Sequence, residues 1–451
     1  MRRSKPRTMR RSKPRSMRRS KPRSMKRPNV SYRKHRGGAS IKDLTLLPYS
    51  KFPSHMRKIN FRSKDFVIDT TRDSVCIGKD SRNGFIRRCY LKDYPLIIKM
   101  VRSEERGYTV DSLYYEYLVG KCINEFSNMY PFFSRTLAFG ELKDYSTYKQ
   151  LKSLCDSQEN FKLPVGDIFY NYDDHHTDKD TSVLKFNTFK DTCKKFSKNP
   201  FAIFSQYIPI YKSYGDYIDT IVEYNFNKKK EEGVTQVFVI NALISAMLYG
   251  LRDRFTHNDL HTNNIVLVKI PNDDYVCFRI HDDADTKSVL ELHTRLIPVV
   301  IDYGRCYVRC DKLDTHDIYT SVCNSYPDDC GRECGYSTRY MRSYRDNEDP
   351  NFGLYDIIGV ELPKINKHLL SIHADLVDTY NKVSYKYEDS RGERTGYNLT
   401  VDDLYHFYKT HLSTAEFAEC MKANIAHEGK CVHTIDLYTD GKTPFKIHGV
   451  K

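Results

Sequence analysis

"FTHNDLHTNNIVL", residues 255–267, sets His257, Asp259, His261 and Asn264 within a few positions of one another, directly ahead of an apolar run. Its neighbours decide what such a loop belongs to. Upstream, residues 235–253 carry Phe238, Ala242, Met247 and Leu251 at helical spacing, flanked by Ile240, Leu243 and Ile244, which predicts a mostly buried helix. Downstream, "NIVLVKI" and "YVCFRI" are β-rich runs separated by "PNDD", a turn, and together predict a hairpin. Next, "LIPVVIDYGR" predicts an apolar strand that ends in Asp302, Tyr303 and Gly304. The order is therefore helix, polar loop, hairpin, and a strand that delivers a carboxylate. Asp259 at the loop's start can orient or deprotonate an attacking hydroxyl. Asn264, five residues on, and Asp302 supply oxygen ligands of the hard kind that Mg²⁺ prefers, and this is the donor set of phosphoryl transfer.

"HNDLHTNN" fits the catalytic loop H-R-D-L-x-x-x-N with one change in its fixed positions, and "DYG" stands where D-F-G is expected. On these residues the chain resembles the protein kinase superfamily. The resemblance implies a two-lobed α+β fold, a small antiparallel β lobe and a larger, mainly helical one, with ATP and Mg²⁺ between them. It further implies a strand lysine paired to a helix glutamate. Lys99 in "PLIIKMV" and Glu116 in "VDSLYYEYLVGKCINEF" fill those roles, ahead of the alternatives Glu104, Glu105 and Glu125. The glycine-rich loop is the loosest match: "VCIGKDSRNGFI" offers Gly78 and Gly84, with Asp80 at the middle glycine's place and one extra residue. By the same resemblance Gln206, Tyr207 and Ile208 form the hinge that binds adenine, and Asp356 in "GLYDIIGVELPKI" anchors the catalytic loop. No A-P-E motif is recognisable.

The departures carry chemistry. Asn258 replaces the arginine that in many kinases pairs with a phosphorylated activation loop, so constitutive activity or another route of control is expected. His261 stands where serine/threonine kinases usually have lysine, and it is fully charged only when protonated. "HNDLH" is also similar to the H-G-D-L-H loop of aminoglycoside and choline phosphotransferases. A protein serine/threonine kinase is the favoured reading. A small-molecule kinase, an inactive kinase fold and a nucleic-acid packaging protein are its alternatives. The richness in Tyr, Lys and Asn and the absence of Trp are similar to serine/threonine kinases of large double-stranded DNA viruses, notably the iridovirus type. That resemblance implies an intracellular setting, in host cytoplasm or nucleus, or the virion.

The 451 residues are 39% hydrophobic, enough for one large or two medium cores. The net charge of +15 is confined: residues 1–38 hold 17 Arg or Lys and no acid, which leaves 56 basic residues against 58 acidic ones. This tail repeats "MRRSKPRT MRRSKPRS MRRSKPRS". Its self-repulsion and its prolines predict disorder, and its charge predicts binding to nucleic acid or another anionic surface, with nuclear targeting and a merely solvated tail as alternatives. No apolar segment follows to make a signal peptide, and no run is long enough to span a membrane. The expected organisation is the tail 1–38, a linker 39–59, a β lobe 60–208 with a polar insertion at about 141–199, and a helical lobe 209–451 with a Cys-rich segment 305–350. Within the last, "LSTAEFAECMKANIA" predicts a helix with Ser413 and Glu416 as capping box, and 427–451 receive no assignment. Thirteen cysteines without a secretory signal favour reduced thiols. Zinc binding by Cys306, Cys310, Cys323, Cys330 and Cys334 is a lesser expectation, because their spacing is not that of the usual zinc pairs.

Overall fold

The computed structural model describes residues 46–69, 84–101, 112–144, 146, 151, 162–171, 201–223, 228–257, 260, 262–283, 289–304, 306–311, 313–315, 384–389, 392–397, 401–427 and 429–449. All of them belong to the second of two units, Met1–Ser40 and Ile41–Lys451. The basic tail, the Asp356 segment and Cys323, Cys330 and Cys334 lie outside the described residues.

The first lobe is built on seven strands: β1 (Phe66–Asp69), β2 (Gly84–Leu91), β3 (Tyr94–Val101), β4 (Thr136–Leu142), β5 (Lys162–Pro164), β6 (Phe169–Asn171) and β7 (Phe201–Gln206). They form one antiparallel sheet in the order β5-β1-β2-β3-β7-β4-β6. Strands β2 and β3 are a hairpin from Gly84↔Val101 to Leu91↔Tyr94, turned through Lys92 at φ 57°. A left-handed residue in a two-residue turn matches the twist of the strands it joins. Helix α1 (Ser112–Phe126) connects β3 to β4.

Alternation puts different side chains on the two sheet faces, and both faces are covered. On one, Phe66, Ile98, Leu96, Ala138 and Phe204 pack with Phe52, Met56, Ile59 and Phe61. The segment read from sequence as a linker therefore enters the core from Leu46 onward, because its aromatic and aliphatic residues cover apolar sheet surface that water would otherwise wet. On the other face Phe139 stacks on Phe201 and Tyr117, at 5.1 and 4.8 Å between ring centroids, and meets α1. The polar insertion is more than a loop. Its β5 and β6 close the two sheet edges by pairing with β1 and β4, so the edge strands of the lobe come from inside it.

The second lobe starts with β8 (Lys212–Ser213), α2 (Tyr214–Glu223) and the long α3 (Lys228–Leu251). Residues Glu231–Leu251 of α3 are apolar enough to cross a membrane, yet 89% of the most apolar window is buried inside the chain. It is a core helix. After β9 (Phe255–Thr256) come β10 (Ile265–Lys269), β11 (Tyr275–His281), β12 (Leu290–Thr294), β13 (Leu296–Val300), β14 (Tyr307–Cys310) and β15 (Leu313–Asp314). A small hairpin, β16 (Ser384–Asp389) with β17 (Gly392–Tyr397), precedes α4 (Val401–Leu412), α5 (Ala415–Met421), β18 (Cys431–Tyr438) and β19 (Lys446–Gly449).

Three sequence readings change here. Strands β10 and β11 are not a hairpin: β10 pairs with β13 and β8, whereas β11 pairs with β12 and β18. Between them Asn272 and Asp273 take φ of 60° and 56°, and the turn sends the two strands into separate sheets. Secondly, the cap of α5 is Thr414, whose Oγ1 accepts from Phe417 N at 3.3 Å, so Ser413 and Glu416 are not the capping pair. Thirdly, β18 and β19, in the stretch left unassigned, complete the four-stranded sheet β12-β11-β18-β19. The result is a two-lobed α+β fold of the protein-kinase type, with a curled antiparallel sheet beside a larger lobe organised around α3.

Candidate active site

Lys99 lies on β3 and Glu116 in the first half of α1, and the structure brings them together. Lys99 Nζ donates to Glu116 Oε1 and Oε2 at 2.8 and 2.7 Å and to Asp302 Oδ1 at 2.8 Å. Burial alone would lower the ammonium's pKa, but the carboxylates of Glu116 and Asp302 outweigh it and raise the value above the ordinary lysine range. One cation thus ties a strand, a helix and the end of β13 at a single point.

Several local features hold α1 in place. Gly120, one turn after Glu116, lies against Thr136 of β4, where an added Cβ would sit 2.1 Å from Thr136 Oγ1. Asn124 clamps the same strand, donating Nδ2 to Thr136 O at 2.6 Å and accepting from Thr136 N at 3.1 Å. Cys122 on the same helix is joined by a disulfide to Cys310 of β14, with Cα atoms 5.7 Å apart. This overturns the expectation of reduced thiols for these two residues and removes Cys310 from any five-cysteine zinc set. The fold brings together two cysteines 188 residues apart in sequence, which spacing alone does not reveal. Cys306 is buried, and its carbonyl accepts from Tyr115 OH at 2.6 Å.

The "DYG" stretch is placed by strand register. Antiparallel pairing of β10 with β13 sets Ile265 opposite Val300, so Asn264 and Ile301 come next, and Ile301 N donates to Asn264 O at 3.0 Å. Asn264 ends a 3₁₀ turn, Thr262–Asn264, and is buried. Asp302 has φ 66°, a left-handed conformation that Asp and Asn tolerate better than most residues. Tyr303 is buried, donating to Ser134 O at 2.9 Å and Val300 O at 2.8 Å, and it anchors the backbone on which Asp302 turns. Gly304 faces Glu116 Oε2, which an added Cβ would approach only to 3.7 Å, so steric room does not dictate glycine there.

His257 is fully buried, with Nε2 3.1 Å from Ile301 O. A carbonyl only accepts, so the proton is on Nε2 and the imidazole links the start of the loop to the residue before Asp302. Sequence reading quoted His257 in the motif without giving it this role; its place next to a buried strand was the available signal. Asp259, His261 and Gly78 lie outside the described residues. Gly84 is the first residue of β2, opposite Val101.

Of the residues expected to bind adenine, Gln206 ends β7 opposite Leu96 and Ile208 is buried just beyond it. Gln206 N donates to Arg135 O at 2.9 Å, and Gln206 Oε1 accepts from Arg135 Nη1 at 3.3 Å. The same guanidinium donates to Leu47 O at 2.8 Å, and burial lowers its pKa to about 10. Arg135 was not singled out from sequence; as a buried arginine joining the end of β7 to the N-terminal segment it becomes visible only in three dimensions. The oxygen-donor pair Asn264 and Asp302 fits a Mg²⁺ ion in kind, and Lys99, held by two carboxylates, fits a polyphosphate.

The fold is the two-lobed α+β arrangement of the kinase-like kind. No family model matches the chain, and no curated protein matches it. Among solved structures it is similar to the BubR1 kinase domain (TM-score 0.32, 13% identity, 78% of this chain and 83% of that one). It is likewise similar to another crystallised kinase domain (TM-score 0.26, 17% identity, 52% of this chain, about half of that one). A third is WaaP in complex with acyl carrier protein (TM-score 0.23, 11% identity, 67% of this chain and 88% of that one).

Proposed function

We propose that this chain is an ATP-dependent phosphotransferase acting on serine or threonine hydroxyls of proteins. The observation that carries the reading is the convergence of Glu116 and Asp302 on one ammonium, that of Lys99. In the proposed reaction Lys99 orients the phosphates, and Glu116 holds Lys99 in place. Asn264 and Asp302 would hold Mg²⁺, which when bound offsets charge on the phosphate oxygens. By their places in the motif, Asp259 is assigned to accept the proton of the acceptor hydroxyl and His261, when protonated, to offset charge on the transferred phosphate.

A small-molecule phosphotransferase is the second reading, favoured by His261 and by the missing A-P-E motif. Incubation of the purified chain with labelled ATP and Mg²⁺, with a basic protein and with small alcohols or aminoglycosides, separates the two. Protein-bound label at Ser or Thr supports the first reading. Label only on a small acceptor moves the chain to the second, and no transfer to either removes both.

A further inference from the structure

Away from the Lys99 site, strands β11 and β12 present two unlike faces. Their inward residues, Val276, Phe278, Ile280, Leu290 and Leu292, are aliphatic or aromatic and belong to the main core. The outward rungs carry Cys277, Glu291 and His293. Antiparallel register sets Cys277 directly opposite His293 and Arg279 opposite Glu291, so thiol, imidazole and carboxylate share one patch. One donor atom from each lies within 4.8 Å of the other two.

The internal geometry suits an ion. Glu291 Oε1 stands 3.2 Å from His293 Nε2, while Arg279 Nε lies 3.4 Å from the other oxygen, Oε2, leaving Oε1 on the His293 side. Tetrahedral zinc, with bonds near 2.0–2.3 Å, needs its ligand atoms roughly 3.3–3.6 Å apart, a contraction that side-chain rotation supplies here. His293 faces Glu291 through Nε2, which is the nitrogen available to an ion, while Nδ1, buried and without a hydrogen-bond partner among the described residues, carries the proton of the neutral ring. The Tyr275 ring covers the imidazole, with centroids 5.0 Å apart. Sulfur and nitrogen donors with a single carboxylate favour a borderline metal of the zinc class over Mg²⁺ or Ca²⁺.

We propose that Cys277, Glu291 and His293 form a divalent-metal site of the zinc class, with the fourth position open to water on the Glu291 side. Binding forms the sulfur–metal bond and breaks the Cys277 S–H bond, and the proton leaves to solvent. The imidazole binds neutral. The ion would pin β11 to β12 just ahead of β13, the strand that delivers Asp302. Cys431, opposite Tyr275 on β18, is the neighbouring thiol and is not a ligand in this proposal.

The test uses the untagged full chain, stripped with chelator and titrated with Co²⁺ and then Zn²⁺. Expected are one equivalent of Co²⁺ with a thiolate charge-transfer band, its displacement by Zn²⁺, and a rise in Tm on Zn²⁺ addition. Cys277→Ser abolishes the band, and His293→Gln, which leaves the thiol's packing intact, weakens binding at least tenfold. Cys431→Ser and a combined Cys323→Ser, Cys330→Ser, Cys334→Ser variant keep the band. Absence of stoichiometric binding by the parent chain, a band that persists in Cys277→Ser, or one that disappears in either control overturns the proposal. Metal-free circular dichroism of each variant establishes that it folds, and His293→Gln decides the matter if Cys277→Ser does not.

Discussion

At the scale of single residues, the proposed chemistry rests on one ammonium between two carboxylates. Asp302→Asn is a discriminating substitution because Asn also tolerates the left-handed backbone at that position, so charge is removed with little change in conformation. Phosphoryl transfer is expected to fall by roughly 10²–10³-fold, the usual scale for losing one preorganised electrostatic group, with Tm nearly unchanged. Steady-state transfer at the parent rate would remove Asp302 from the mechanism. Lys99 leads to a pH prediction. Its pKa is raised above the ordinary lysine value of 10.5, so the pairing's contribution to stability is complete below 10.5 and declines only as pH rises through the higher folded value. Nucleotide affinity should therefore show no titration of Lys99 between neutrality and pH 9, whereas Lys99→Met should lose affinity at every pH. A Lys99-dependent inflection in that interval, read by fluorescent-nucleotide titration, would contradict the geometry.

At the scale of elements, helix α1 is the part whose position sets the site. Gly120→Ala places a methyl where Thr136 Oγ1 already stands, and overpacking of this kind costs about 1–3 kcal/mol or moves the helix. Glu116 lies one turn before Gly120, so transfer activity should drop by more than stability does; equal activity in the variant would show that α1 is not held by this contact. The Cys122–Cys310 disulfide joins the same helix to β14 and closes a loop of 188 residues. Cys122→Ser should lower unfolding free energy by about 2–4 kcal/mol in the absence of reductant, and the difference should vanish when both proteins are reduced. Denaturant titrations with and without dithiothreitol make the comparison. Helix α4 docks through Asp282, which accepts from Lys409 Nζ at 2.8 Å and from Tyr405 OH at 3.0 Å. Burial would raise this carboxyl, but those hydrogen bonds outweigh it and hold its pKa below the ordinary 3.8. Its stabilising contribution is thus present above pH 3.8 and lost as pH falls through the lowered value. Acid unfolding of Asp282→Asn should begin at higher pH than that of the parent chain.

At the scale of the whole molecule, charge is divided between a basic tail and a nearly neutral remainder. We propose that residues 1–38 bind nucleic acid or another anionic surface, with an affinity that falls steeply with salt as counterions are released. Ser4, Ser12 and Ser20 follow arginine pairs, and Thr8, Ser16 and Ser24 follow single arginines. Each phosphate added there contributes about −1.5 to −2 charge, so modification would loosen binding. A chain starting at residue 39 should lose salt-sensitive DNA binding; equal binding by the two chains would refute the tail as anchor.

The amino-acid sequence by itself marked Lys99 and Glu116 as a pair and placed Asp302 after an apolar strand, because periodicity and the spacing of a short motif are local properties of a chain. The long buried α3 and the strand ending at Asp302 were legible for the same reason. What tertiary structure alone decided were the non-local pairings. Strands β10 and β11 read as hairpin partners until a left-handed turn separated them, since β propensity states that a strand forms but not which edge it joins. The edge strands contributed by the polar insertion, the Cys122–Cys310 bond, and the Arg135 link from Gln206 to Leu47 each join segments remote in sequence. Contacts of that kind depend on how the faces pack together, a choice made by the burial of both sheet faces at once and not written in any one stretch of residues.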